Sequence, residues 1–229
     1  VDRVMTSPDG ITWTNRTASA SSTWTGIAWA PSLTLFCAVS YSGTVMTSPD
    51  GITWTSRTAA ASNRWFGVVW APELTLFCAV SSNGTLDRAM TSPDGITWTS
   101  RTTPTYNDWQ SVAWAPELGI FCAVSSDGTG DRVMTSPDGI TWTLRISAAD
   151  NYWHSVIWSP ELYIFVAVGE SGTGDRVMTT TYSDRLNLKA PKASPTFTGT
   201  VTTAGLTSSG TVNLGGNNLD NIKNLHHNI

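Results

Sequence analysis

Charge is what this chain has least of. Only 13% of its 229 residues are Asp, Glu, Lys or Arg, about half the usual quarter. Lysine is confined to Lys189, Lys192 and Lys223. With 13 basic against 17 acidic side chains and a formal charge of −4, the chain lacks the positive field that a phosphate backbone requires. That excludes nucleic acid as an expected partner. Three cysteines cannot close a disulfide framework. No apolar run approaches the roughly 18 residues of a membrane helix. No signal peptide or initiator methionine is present, and Val1 falls in the middle of a pattern, so the chain is expected to be part of a longer protein. No stretch keeps a 3.6-residue period, which sets aside the helical repeats. The surface must therefore be built from Ser, Thr, Asn and Gly, and the secondary structure from strands. What the sequence has in excess is tryptophan, 12 in all.

All twelve tryptophans fall into three phase-locked series. They are Trp13, Trp54, Trp98 and Trp142; Trp24, Trp65, Trp109 and Trp153; and Trp29, Trp70, Trp114 and Trp158. Each series steps by 41, 44 and 44 residues. The short first step lies in one Gly-containing stretch, where Ser42-Gly43-Thr44 runs directly into Val45-Met46. Later repeats insert Leu86-Asp87-Arg88, Gly130-Asp131-Arg132 or Gly174-Asp175-Arg176 there. An insertion so confined marks a loop. One repeat reads as a strand Trp109–Trp114, a turn at Ala115–Leu118, a strand Gly119–Val124, a loop, a strand Arg132–Thr135, a tight turn Ser136-Pro137-Asp138-Gly139, and a strand Ile140–Arg145. Four short antiparallel strands in about 44 residues predict an all-β chain of β-propeller blades. Full blades are expected at about 24–58, 65–102 and 109–146, with a fourth starting at Trp153. Residues 1–17 supply only a third and fourth strand. They either complete the last blade and close a four-bladed ring, or follow further blades before Val1.

The tight turn recurs as Ser-Pro-Asp-Gly-Ile-Thr-Trp at 7–13, 48–54, 92–98 and 136–142. It resembles the Asp-box, or BNR, repeat of sialidase-like propellers. The resemblance implies a structural role for Asp9, Trp13, Asp50, Trp54, Asp94, Trp98, Asp138 and Trp142. In that family each Asp caps its own hairpin and each Trp packs between blades. The resemblance does not imply catalysis.

The segmentation expected is a propeller or part of one at 1–181, a linker at 182–192 and a second unit at 193–229. In that last unit Ala193-Ser194-Pro195-Thr196-Phe197-Thr198-Gly199 and Gly210–Ile222 resemble elements of bacteriophage tail fibres. Sparse apolar residues from Leu206 to Leu225 cannot make a core alone. Three chains winding together would share them, so an extended trimeric β-stalk is expected, against the alternative of a disordered linker.

Candidate chemistry is thin. Arg16, Arg57, Arg101 and Arg145 recur in phase, as do Arg3, Arg88, Arg132 and Arg176, so they serve what every blade needs. Pairing of Asp87, Asp131 and Asp175 with nearby arginines accounts for them. Only Arg64 and Arg185 fall outside the repeat. No two carboxylates stand out as a glycosidase pair. Cys37, Cys78 and Cys122 share a phase at which the fourth copy has Val166, so they read as small buried hydrophobes. His154 is isolated, and the adjacent His226 and His227, which on a fibre axis can bind a metal in a trimer, read better as an ordinary chain end. No cofactor and no metal are expected. The recurring tryptophans read as interblade packing, with Trp24, Trp65, Trp109 and Trp153 the best placed to reach a ligand.

Variation among repeats gathers in the connections at one end of the blades, at 19–23, 60–64, 104–108 and 148–152, with Tyr41, Asn83, Asp127 and Glu170. A fixed scaffold with variable loops on one face is the arrangement of a binding surface, although loops free of packing constraint also drift. The ligand residues expected are Arg64, Tyr106, Asn107, Asp108, Asn151 and Tyr152. The function expected is non-catalytic adhesion to a host-surface glycan by a phage tail-fibre segment. It would work as a homotrimer with other fibre proteins, in virions assembled in the host cytoplasm. A structural spacer or adaptor of the virion and a fragment of a glycosidase-type propeller are the alternatives.

Overall fold

A computed structural model describes residues 2–180, 196–203 and 206–213. The expected linker, and most of the expected trimeric stalk, lie outside the described residues. The chain divides into two compact units, Val1–Thr180 and Thr181–Ile229. In the second, strands Thr196–Thr203 and Leu206–Asn213 pair as an antiparallel hairpin.

The first unit is a row of antiparallel sheets. A two-stranded sheet, β1 (Asp2–Thr6) and β2 (Thr14–Thr17), leads. Three four-stranded blades follow. The first is β3 (Trp24–Ala30), β4 (Leu35–Ser40), β5 (Thr44–Ser48) and β6 (Thr55–Thr58). The second is β7 (Trp65–Ala71), β8 (Leu76–Ser81), β9 (Ala89–Ser92) and β10 (Thr99–Arg101). The third is β11 (Trp109–Ala115), β12 (Ile120–Ser125), β13 (Val133–Ser136) and β14 (Thr143–Arg145). A three-stranded blade closes the row: β15 (Trp153–Ser159), β16 (Ile164–Gly169) and β17 (Val177–Thr179). Within each blade the strands neighbour one another in sequence order.

The sheets form because their apolar positions serve two faces. Val39 and Val45 face the next blade, where Trp65, Val68, Phe77 and Met90 receive them. The same set recurs one and two blades on. Inner strands of successive blades lie close together. A Cβ on Gly26 would meet the Phe66 carbonyl at 2.5 Å, and the Thr25 hydroxyl donates to the Trp65 carbonyl at 2.6 Å. A larger residue at position 26 would push the blades apart.

The structure corrects the sequence reading in three places. The fourth strand starts at Thr143 rather than Ile140, because Asp138 holds the Ile140 and Thr141 amides in the turn. The leading pair does not complete the last blade. Its place beside β16 is taken by β17, with Val166 opposite Thr179. Trp13 does not pack between blades. It is 53% exposed, whereas Trp54, Trp98 and Trp142 are buried, because the leading sheet has no blade before it among the described residues.

Candidate binding face

Each blade presents two ends. At one end lie the Ser-Pro-Asp-Gly turn and the turn after the first strand. At the other lie the connections entering the blade and joining its second and third strands.

The first end is self-contained. The Ser92 hydroxyl donates to the Asp94 carboxylate at 3.0 Å and accepts the Gly95 amide at 2.8 Å. That carboxylate takes the Ile96 and Thr97 amides at 2.8 Å each. Gly95 adopts a φ of 71°, which any Cβ would strain. The Trp98 indole then donates to the Gly95 carbonyl at 3.1 Å. The other three copies repeat these bonds. Backbone amides hold the Asp9 and Asp50 carboxyls down to a pKa of about 2. For Asp94 and Asp138 partial burial pushes upward, but the same amides outweigh it and the carboxyls lie below their usual range. The serine hydroxyl and one oxygen of each carboxylate are occupied by the turn itself, as a structural role requires. The neighbouring turn adds a link between blades. Glu73 accepts the Trp114 indole, and Glu117 the Trp158 indole, at 2.7 Å each.

The opposite end is held by longer-range bonds. Asn63, Asn107 and Asn151 donate to the carbonyls of Asp87, Asp131 and Asp175 at 3.0, 3.0 and 2.7 Å. All three asparagines are buried. Asn107 and Asn151, expected to meet a ligand, instead tie the entering connection to the next loop of the same blade. Their signal was legible: each stands two residues before a phase-locked Trp. The expected pairing of Asp131 with arginine is likewise replaced, since its carboxylate takes the Asn107 amide and the Thr129 backbone amide. The arginines reach further. Arg88 donates to Asp108 at 2.7 Å and to the Ser82 and Gly84 carbonyls. Arg132 donates to the Asn151 carbonyl at 2.9 Å and lies 3.6 Å from Asp150. Backbone amides of Arg64, Asp108 and Tyr152 are capped by Asn83, Asp127 and Ser171.

Above this framework stand aromatic rings. Tyr106 is 60% exposed and Tyr152 48%. The Arg88 and Arg132 guanidinium carbons lie 5.9 and 5.8 Å from their ring centres. Tyr41 has Arg64 at 4.8 Å. The six expected ligand residues therefore do not form one site. Tyr106 and Asp108 gather around Arg88, whereas Tyr152 lies at the next junction with Arg132. Burial and then the neighbouring Asp127 raise the Asp108 carboxyl above its usual range, against the pull of Arg88. The tryptophans expected to be open to ligand are not. Trp65, Trp109 and Trp153 are fully buried and Trp24 is half-buried. Among the described residues no three His, Cys, Asp or Glu side chains cluster as a metal site. The three cysteines are free and buried, and burial raises each thiol, Cys122 to about 12.

No family model and no curated protein matches the chain. Solved structures do. YCF48 bound to a D1 peptide matches with a TM-score of 0.54 at 14% identity over 75% of this chain and 56% of that one. A streptogramin B lyase matches at 0.52 and 9% identity over 69% and 54%. The β-propeller domain of Cps50 (Swd1) from Myceliophteria thermophila matches at 0.51 and 13% identity over 69% and 55%. The fold is thus that of β-propeller blades. The chain spans little more than half the length of these propellers.

Proposed function

We propose that this chain is a receptor-binding segment of a bacteriophage tail fibre, adhering without catalysis to a host-surface glycan through the loop face. The observation that carries the reading is the pair of exposed rings, Tyr106 and Tyr152, on loops whose own polar groups are tied down. An exposed tyrosine offers an apolar face to a sugar ring and a hydroxyl to its substituents. Asp108, gathered with Tyr106 around Arg88, and Arg64, over the Tyr41 ring, suit a neutral or mildly anionic saccharide. The recurring turn is assigned to the Asp-box type, whose serine, aspartate and tryptophan are consumed in holding the hairpin. The fibre-like sequence at 193–229 supports the virion setting. The test is adsorption of labelled protein to host cells. Tyr106→Ala and Tyr152→Ala are expected to lower adsorption several-fold, with Ile140→Ala on the opposite end as control and thermal melting to verify folding. Equal loss at both ends, or none at either, removes this face and leaves the structural spacer.

A further inference from the structure

The loop face spends its arginines at every junction between blades but one. Arg88 of the second blade reaches Asp108 of the third at 2.7 Å, with Tyr106 beside it. Arg132 of the third blade lies 3.6 Å from Asp150 at the entry to the fourth, with Tyr152 beside it. Each of these junctions holds a guanidinium, a tyrosine and a carboxylate. Both arginines belong to the three-residue insertions at 86–88 and 130–132, which the first blade lacks.

At the junction of the first and second blades the cation comes from the other side. Arg64 stands at the entry to the second blade, its guanidinium carbon 4.8 Å from the centre of the Tyr41 ring. Tyr41 belongs to the connection between the second and third strands of the first blade and meets Phe66 edge-on at 5.8 Å. The tyrosine and the cation are present here, and the carboxylate is not. Asp108 feels the charge of Arg64, but it is bound to Arg88 and makes no ion pair with Arg64. Every other arginine among the described residues donates a hydrogen bond from its guanidinium. Among the same residues, that of Arg64 donates none.

This idle guanidinium is nevertheless held in place. The Arg64 amide donates to the Asn83 side chain, and the Arg64 carbonyl accepts the Ser82 amide at 3.0 Å. The Tyr41 amide is fixed in the same manner to the Thr23 carbonyl at 2.9 Å. A ring beneath a guanidinium restrains it by cation–π attraction and consumes none of its N–H donors. Arg64 is exposed, Tyr41 is 39% exposed and Phe66 is half-buried. The junction therefore presents a positioned fork of donors flanked by two aromatic rings.

We propose that this junction is the acid-reading subsite of the loop face. A carboxylate on the bound saccharide takes the place that Asp108 and Asp150 fill at the other two junctions. The inference rests on the glycan reading above and narrows it to a saccharide that carries a carboxylate, of the hexuronic acid class. Arginine holds a carboxylate by two parallel N–H···O bonds, and Tyr41 and Phe66 give apolar contact to the sugar ring that bears it. An acidic peptide would bring the same charge. A saccharide is favoured because its carboxylate sits directly on a ring whose apolar face fits the exposed tyrosines of all three junctions.

The test compares binding of labelled oligogalacturonates and glucuronate-bearing oligosaccharides to the full chain with binding of their carboxyl-reduced forms. The acidic forms are expected to bind at least about tenfold more tightly. Arg64→Gln is expected to remove that preference and to leave the affinity for the reduced forms. Arg145→Gln removes an equally exposed charge from an outer strand and is expected to leave the preference intact. Equal affinity for the two forms, a preference that survives Arg64→Gln, or an equal loss with Arg145→Gln overturns the proposal. If Tyr106→Ala and Tyr152→Ala still weaken the reduced forms in those cases, glycan adhesion stands without this subsite. Binding of neither form overturns both. An Asp- and Glu-rich peptide bound through Arg64 more tightly than every saccharide overturns the proposal in favour of a peptide.

Discussion

The two ends of a blade solve one problem differently. Both must satisfy the polar groups of a tight connection, because a buried unpaired group costs free energy. The turn end does so within seven residues: one serine and one aspartate serve the hairpin that carries them. The four copies are the same. The loop end uses three anchors far apart in sequence, a buried asparagine, a glycine and an arginine. Gly84, Gly128 and Gly172 leave no room for a Cβ against those asparagines. With the anchors fixed, the positions between them are free to differ. Arg64, Asp108 and Tyr152 occupy one and the same phase. Uniformity at one end and diversity at the other follow from how local the bonding is.

The largest effect that tests this contrast is in the packing both ends share. Trp98→Ala removes a buried indole between blades and is expected to cost about 3–5 kcal/mol. Trp13→Ala removes the same residue of the same motif where it stands exposed. Its effect is expected to be well under 1 kcal/mol. Urea melts compare the two. Equal losses would mean that the motif, and not its place between blades, sets the contribution.

Next come the anchors themselves. Asn107→Ala and Asp94→Ala each leave backbone groups without their partners and are expected to cost on the order of 1–3 kcal/mol. Hydrogen exchange distinguishes them. Loss at Asp94 is expected to stay within residues 92–98. Loss at Asn107 is expected to spread to the 127–132 loop, 24 residues away in sequence.

A gain of about 1 kcal/mol is expected from Ser32→Glu. Glu73 and Glu117 accept the indoles of Trp114 and Trp158 in the next blade. Ser32 stands in the equivalent turn one blade earlier, and the Trp70 indole nitrogen is buried without a partner. A glutamate at this position supplies the missing acceptor. A melting temperature unchanged or lowered would mean that the link between blades is incidental.

Blade architecture was legible in the sequence because it repeats. Three tryptophan series, an alternating first strand and an unchanged turn locate every full blade. What escaped was whatever depends on neighbours. Trp13 and Trp54 sit in identical motifs, and only the blade in front separates them. Trp65, Trp109 and Trp153 begin strands at the loop end, yet each is fully buried in a cluster shared with the blade before it. Asn107 and Asn151 looked like ligand residues because they lie among variable positions. Their own recurrence at a fixed distance before tryptophan marks them as scaffold.

The smallest effect concerns the charge of two aspartates at opposite ends. Asp50 has its pKa lowered to about 2 by the Thr53 and Ile52 amides. It contributes stability that is present above its unfolded value and lost as the pH falls from about 4 toward 2. Asp108 is shifted the other way, by burial and by Asp127. Ionised, it opposes folding, and that opposition is relieved as the pH falls through its raised value. Mild acidification therefore helps the loop end before it harms the turn end. In a pH series of melts, wild type is expected to lose less stability than Asp108→Asn on going from neutral pH to just above the ordinary carboxylate range. Below that range both proteins are expected to fall together. The side-chain amide introduced by Asp108→Asn does not titrate, so the substitution removes the first effect and leaves the second. If Asp108→Asn followed the wild-type curve throughout, the carboxylate would be an ordinary solvated group. The rigid loop junction around Arg88 would then have no electrostatic signature of its own.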